Sequence, residues 1–236
     1  CDHKADKRIV RRLFQSDPAY AAMVQHLDEN VGRLLAALEA EGVASDTVVM
    51  FTSDNGGLAT AEGSPTCNAP LAEGKGWMYE GGTREPLIVH WPGVTAPDSL
   101  CRAPVTSPDF YPTMLELAGL DPLPDQHVDG VSFAGLLRGG ERLDREAIFW
   151  HYPHYGNQGG TPGCSVRCGD HKLIRFFEDE RLELYDLRHD VSESHDLADE
   201  RPDLTKSLAG RLSDWLDRCG AKLPEPNPDY RPRAET

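Results

Sequence analysis

The 236 residues carry 39 acidic against 24 basic side chains, a formal net charge of −15. A field of that sign disfavours nucleic acid or an anionic membrane face as partner, and no window of about 18 apolar residues offers a membrane span. Ordinary hydrophobic content excludes wholesale disorder, and the length suffices for one large domain or one and a half.

Six cysteines (Cys1, Cys67, Cys101, Cys164, Cys168, Cys219) show neither a Cys-x-x-Cys pair nor a His-x-x-x-His partner, so free or structural thiols are expected rather than zinc. The chain opens on Cys1-Asp2-His3-Lys4, with no Met and no visible signal peptide, and reads as a piece of a longer protein.

Residues 1–17 are polar and basic, which permits a short helix. Ser16-Asp17-Pro18 then supplies a cap and a Pro at the first helical position. Tyr20, Met23, Val24, Leu27, Val31, Leu34, Leu35 and Leu38 recur at steps of three and four, one wide apolar stripe on a helix that Gly42 ends. Thr47-Val48-Val49-Met50-Phe51 comes next as a strand, expected to be buried on both faces in the middle of a parallel sheet. Residues 58–73 are rich in Gly, Pro, Ser, Thr and Asn and form a long loop, the kind that is functional or mobile.

Leu87-Ile88-Val89-His90-Trp91 is a second buried strand stopped by Pro92-Gly93, with His90 expected in the core. Ser107-Pro108 opens a helix that Gly119 closes, and Phe133, Leu136 and Leu137 mark another short one. Ala147 to Tyr152 is strand-like, and residues 153–163 are a loop. Ser165-Val166-Arg167, a turn at Gly169-Asp170 and residues 172–177 make a hairpin, with a further strand at 182–187. Leu204, Leu208, Leu212, Trp215 and Leu216 mark a last amphipathic helix, before a Pro-rich tail from Pro224 that is expected to be disordered.

The chemistry concentrates in three places. Asp54-Asn55-Gly56-Gly57 ends the first strand with a carboxylate and an amide oxygen, hard donors suited to Ca²⁺ or Mg²⁺. The carboxyl end of a strand is where open α/β sheets bind ligands, although Asp and Asn there can equally bond their own backbone in a turn. Gly74-Lys75-Gly76 sets a compact positive charge on a flexible backbone, suited to an anionic oxygen or to plain solvent. Trp150-His151-Tyr152-Pro153-His154-Tyr155 offers aromatic and imidazole groups that suit a sugar face or an interdomain packing surface.

Several stretches together resemble the sulfatases of the alkaline phosphatase superfamily: Tyr20-Ala21-Ala22-Met23 with Leu27-Asp28 and Val31-Gly32, then residues 51–57, Gly74-Lys75-Gly76, Glu80-Gly81-Gly82-x-Arg84-x-Pro86, Trp91-Pro92-Gly93, Asp129-Gly130-Val131-Ser132, and Glu183-Leu184-Tyr185-Asp186-Leu187 with Asp190 and Glu193. Each is weak alone, and their shared order across nearly the whole chain carries the resemblance. It implies that Asp54 and Asn55 ligate Ca²⁺ (Mg²⁺ as the second choice) and that Lys75 is catalytic and touches the sulfate. It also implies that His151 and His154 contact a small-molecule or saccharide sulfate ester.

The family's formylglycine arises in a Cys/Ser-x-Pro-x-Arg motif, and these 236 residues contain none. The resemblance is therefore to the carboxyl-terminal half, with the formylglycine in the missing half and the chain inactive by itself. The expected fold is α/β, a partial alkaline-phosphatase-like α/β/α sandwich over residues 1–140 followed by a small antiparallel α+β subdomain over 141–236. A phosphodiesterase or phosphonate monoester hydrolase of the same superfamily, or a non-catalytic pseudo-enzyme domain, are the competing readings. A periplasmic or extracellular location is implied by the resemblance only, and uncovered apolar surface would favour self-association.

Overall fold

The computed structural model describes residues 10–225 and 227–230. The chain divides into two compact units that do not follow sequence order. One comprises Phe14–Gly56 and Arg84–Ile148; the other comprises the described parts of Cys1–Leu13, Gly57–Thr83 and Phe149–Thr236. Most of the Pro-rich tail lies outside the described residues, as do residues 1–9; residues 10–17 are not helical.

The first unit begins with helix α1, Pro18–Ala40. Asp17 caps it as its sequence predicts: the side chain accepts from the Ala19 and Tyr20 amides at 2.9 and 3.0 Å, satisfying two of the donors that a helix start leaves unpaired. Its apolar stripe is present but not buried, with Met23 66% and Leu34 68% exposed.

Strand β1, Val49–Thr52, pairs antiparallel with β2, Leu87–His90, in a two-stranded sheet. The expectation of a strand buried on both faces of a parallel sheet is thus corrected. An apolar run states that a strand can be covered, but its neighbours decide whether it is, and among the described residues β1 has β2 alone. His90, expected in the core, is exposed. It falls at the outward parity of β2 together with Ile88, which is 63% exposed.

A buried knot in this unit surrounds Asp109. It is fully buried ahead of helix α3, Phe110–Leu117, and accepts from the Thr106 and Val131 amides while Arg145 grips it through both guanidinium nitrogens. Phe110 meets Phe133 edge-on beside the short helix α4, Ala134–Leu137.

The second unit is built on a four-stranded sheet in the order β3-β4-β5-β6: Ile148–Tyr152, Gly163–Cys168, His171–Phe176 and Leu182–Asp186. β5 is antiparallel to both β4 and β6, with Lys172 opposite Arg167 and Tyr185, and Ile174 opposite Ser165 and Glu183. Paired residues share a face. One face therefore carries Arg167, Lys172, Ile174, Phe176, Glu183 and Tyr185; the other carries Cys164, Val166, Leu173 and Leu184, none of them exposed.

Helix α5, Pro202–Arg218, packs on β4 and β5 and buries Leu208, Leu212 and Leu216 at helical spacing, while its Trp215 stacks on Phe149 at 4.9 Å. The first face receives the segment 78–80, and Met78, Ile174, Phe176, Tyr185 and Leu187 form its core. A one-turn helix, α2, Glu80–Thr83, ends that segment. Cys101, Cys164, Cys168 and Cys219 are free thiols, and burial pushes that of Cys164 up to about 12, so it is inert packing.

Candidate functional site

Asp54 and Asn55 lie just past the carboxyl end of β1, Asp54 exposed and Asn55 half-buried. The Ser53 hydroxyl donates to the Asn55 carbonyl at 2.9 Å, and the Asn55 amide nitrogen donates to Gly56 O at 3.2 Å. Those bonds consume donors and leave the Asp54 carboxylate and the Asn55 Oδ1 as acceptors.

A third acid lies within electrostatic reach of Asp54. Glu85 precedes β2, its Oε1 is buried with no hydrogen-bond partner among the described residues, and its carboxyl is pushed up to about 7, first by burial and then by the charge of Asp54. Sequence reasoning missed Glu85; its signal was only an acid directly before Pro86 and a buried-looking strand.

The donors fit a hard divalent cation in kind. They fall short in number, because Ca²⁺ takes about 6–8 oxygens and no group of three or more His, Cys, Asp or Glu among the described residues is arranged to hold a metal.

Lys75, His151 and His154 all belong to the other unit. Lys75 is exposed at the tip of a loop whose backbone is fixed on both sides. Its amide donates to Gly57 O at 3.1 Å, and the Trp77 amide donates to Gly74 O at 3.0 Å. Asn68 ties the loop from beneath, its Nδ2 donating to Gly57 O at 2.8 Å and to Glu73 O at 2.9 Å.

The flanking glycines have physical reasons. A Cβ on Gly74 would sit 2.3 Å from Gly57 O, and Gly76 turns with φ +86° against the Gln158 side chain. The Trp77 indole donates to Thr60 Oγ1 and to Gln158 O at 3.1 and 3.2 Å, which docks the loop 153–162 on the loop that carries Lys75.

His154 lies in that docked loop, exposed, with its ring edge-on to Tyr152 at 5.4 Å. His151 is differently placed. Its Nε2 bonds the Lys222 carbonyl at 2.9 Å, so that nitrogen carries the proton, and its ring meets Phe177 edge-on at 5.6 Å. Its Nδ1 is buried without a hydrogen-bond partner among the described residues.

A buried ionic cluster was not singled out from sequence. Lys172 is 0% exposed, with Nζ 3.0 Å from Glu80 Oε1 and 3.1 Å from Glu193 Oε1. Arg167 stands 3.6 Å from Glu80 Oε2, and the Trp150 ring lies 5.9 Å from the ammonium. Burial holds Glu193 above the usual carboxylate range, with Lys172 opposing it. The signal was present in the alternation of β5: Lys172 shares its parity with Ile174 and Phe176, so the hairpin puts it on the apolar face.

Two family models match the chain. The model described as Sulfatase covers residues 1–120, and N-sulphoglucosamine sulphohydrolase, C-terminal, covers residues 73–218. A sulfatase of Formosa agariphila is 40% identical over 93% of this chain and 43% of its own length. The crystal structure of Ps i-CgsB in complex with k-i-k-neocarrahexaose superposes with a TM-score of 0.74 at 29% identity, over 83% of this chain and 42% of that one. A structure solved with its substrate D-glucosamine-2-N,6-O-disulfate gives 0.71 at 29% identity, over 84% and 40%.

The chain spans less than half the length of these relatives. Its mixed helices and sheets are the alkaline-phosphatase-like α/β fold of its structural neighbours. With one family model across half of its residues and a second across more than half, this chain belongs to the sulfatase family.

Proposed function

We propose that the protein is a sulfuric ester hydrolase acting on a sulfated saccharide, and that this chain supplies part of its anion and cation sites. The observation that supports it is Lys75, an exposed ammonium on a backbone pinned from both sides. A positive charge carried on a fixed backbone has less to reorganise on meeting an oxyanion, which favours transfer of a sulfuryl group. Lys75 would bind one sulfate oxygen and stabilise the charge that grows on the transferring group. His154, on the loop docked beside it, would meet the saccharide; His151, bonded to Lys222 O, would hold that loop's base in place.

Asp54 and Asn55 would hold Ca²⁺ through their oxygens, and Glu85 would share its charge. When bound, the cation would supply positive charge against sulfate oxygens. The nucleophile, a formylglycine by resemblance, has no motif in these residues and would come from another part of the protein.

The test is cation binding by this chain, read by calorimetry or terbium luminescence. Asp54→Ala is expected to weaken binding by about tenfold or more, as loss of a metal's supporting oxygens generally does. Equal affinity in the parent chain and in Asp54→Ala would remove the cation site. An aryl sulfate offered to the chain alone is expected to survive intact.

A further inference from the structure

We infer that Glu80, Lys172 and Glu193 are positioning residues for Lys75: a buried ionic latch through which the sheet β3-β4-β5-β6 fixes the loop that carries the ammonium. The inference rests on the reading of Lys75 as the sulfate contact, and it adds three residues that touch no substrate.

The path is short and made of hard contacts within one unit. Lys172 projects from near the start of β5 and is closed off from water. Its ammonium meets Glu80 Oε1 at 3.0 Å, Glu193 Oε1 at 3.1 Å and the Thr83 hydroxyl at 3.3 Å, so it grips both ends of α2. Glu193 makes a second attachment, accepting from the Glu80 backbone amide through Oε2 at 2.6 Å. Glu80 is therefore held by side chain and by main chain at once.

The two glycines after Glu80 transmit that hold. A Cβ on Gly81 would lie 2.2 Å from Ala72 O, and one on Gly82 would lie 2.3 Å from Trp77 O and 2.5 Å from Gly74 O. The glycine turn thus lies backbone to backbone against residues 72–77, and the Gly81 amide donates to Ala72 O at 2.8 Å. No flexible side chain intervenes between the latch and the two peptides that flank Lys75. A shift of Glu80 can only be absorbed by moving that loop, because packed interiors deform little.

The charges are suited to holding rather than reacting. Two carboxylates are balanced by Lys172 and Arg167, no member of the triad is exposed, and the Trp150 ring lies 5.9 Å from the ammonium. The ion-paired cluster favours one placement of α2, where a greasy substitute would permit several.

The experiment compares amide hydrogen exchange in the chain with Glu193→Ala and with Glu193→Gln. Glu193→Ala removes the acceptor of the Glu80 amide while leaving Lys172 its Glu80 partner; Glu193→Gln restores an acceptor of the same shape. The Lys75 and Trp77 amides are expected to exchange about fivefold or more faster in Glu193→Ala, the lower end of ordinary coupling between linked sites, while the Leu208 and Leu212 amides of α5 keep their rates. Glu193→Gln should return Lys75 and Trp77 to parent values.

Unchanged Lys75 and Trp77 exchange in folded Glu193→Ala overturns the inference, as does uniform acceleration that includes α5. Should Glu193→Ala not fold, Glu80→Gln is measured by the same criteria. A sulfate titration followed at the Lys75 side-chain nitrogen separates the two levels, six lysines being few enough to resolve. A Lys75 that never responds to sulfate removes its role in the site, and the exchange result then still decides the latch.

Discussion

Replacing Lys172 by Met tests the energetics of the buried cluster most directly. The side chain is fully buried, and its ammonium stands 3.0 Å from Glu80 Oε1 and 3.1 Å from Glu193 Oε1. Without it two carboxylates face each other, with Arg167 only 3.6 Å from one of them. The least costly relief is to protonate one. For a carboxyl with an ordinary value of 4.5, that costs about 1.36 kcal/mol per pH unit, or about 3.4 kcal/mol at pH 7.

This agrees with the roughly 3–5 kcal/mol observed when one partner of a buried pair is removed, and it is a large part of the ~5–15 kcal/mol that stabilises a domain. The same protonation sets the sign of the pH dependence. In the variant the folded carboxyl sits above its unfolded value, so stability is retained below about 4.5 and lost as pH rises. The deficit should shrink to under ~1 kcal/mol at pH 5. Urea unfolding followed at pH 5 and pH 7 reads both quantities. The triple change Lys172→Met, Glu80→Gln, Glu193→Gln should recover most of the loss, because a neutral set leaves no charge stranded. A Lys172→Met penalty below about 1 kcal/mol at pH 7, or one equal at the two pH values, would refute the reasoning.

Glu85 makes a prediction of the same sign in the parent chain. Its carboxyl is raised from 4.5 to about 7 by burial and by Asp54, so the protonated form stabilises the fold below about 4.5 and that contribution disappears as pH rises through about 7. The group is only half-buried, so solvent screening reduces the span to about 1–2 kcal/mol; Glu85→Gln should flatten the profile, and saturating Ca²⁺ should flatten it in the parent chain. Gly74→Ala should cost on the order of 1–3 kcal/mol, because its Cβ falls 2.3 Å from Gly57 O and 2.5 Å from Asn68 Nδ2. Thermal unfolding reads the loss, and a neutral Gly74→Ala would show that the loop yields more easily than its contacts imply.

Much of this was legible in the chain. The period of three and four in residues 20–38, with Asp17-Pro18 ahead of it, located α1, because caps and spacing are local properties. The turn at Gly169-Asp170 located the β4-β5 hairpin for the same reason. What failed was non-local. The apolar run ending at Asp54 stated nothing about its neighbours, so the antiparallel partner β2 and the half-exposed faces were invisible. Gly74-Lys75-Gly76 was visible as a motif, but its reason was not. That reason is Asn68 and Gly57 beneath one glycine and Gln158 against the other, and loop side chains follow no period. Lys172 stood in plain view at core parity, and a charge there meant that a partner had to exist; which partners, from residues 80 and 193, only the fold could say.

The uncovered stripe of α1 carries a consequence for how the chain melts. Helix formation over 23 residues with Met23, Val24, Leu27 and Leu34 in water draws little on tertiary burial, whereas α5 hides three leucines against its sheet. The two units are thus anchored unequally. Heating should release circular dichroism in two steps, the earlier one belonging to the long helix, and a lone melting temperature would average over two different events.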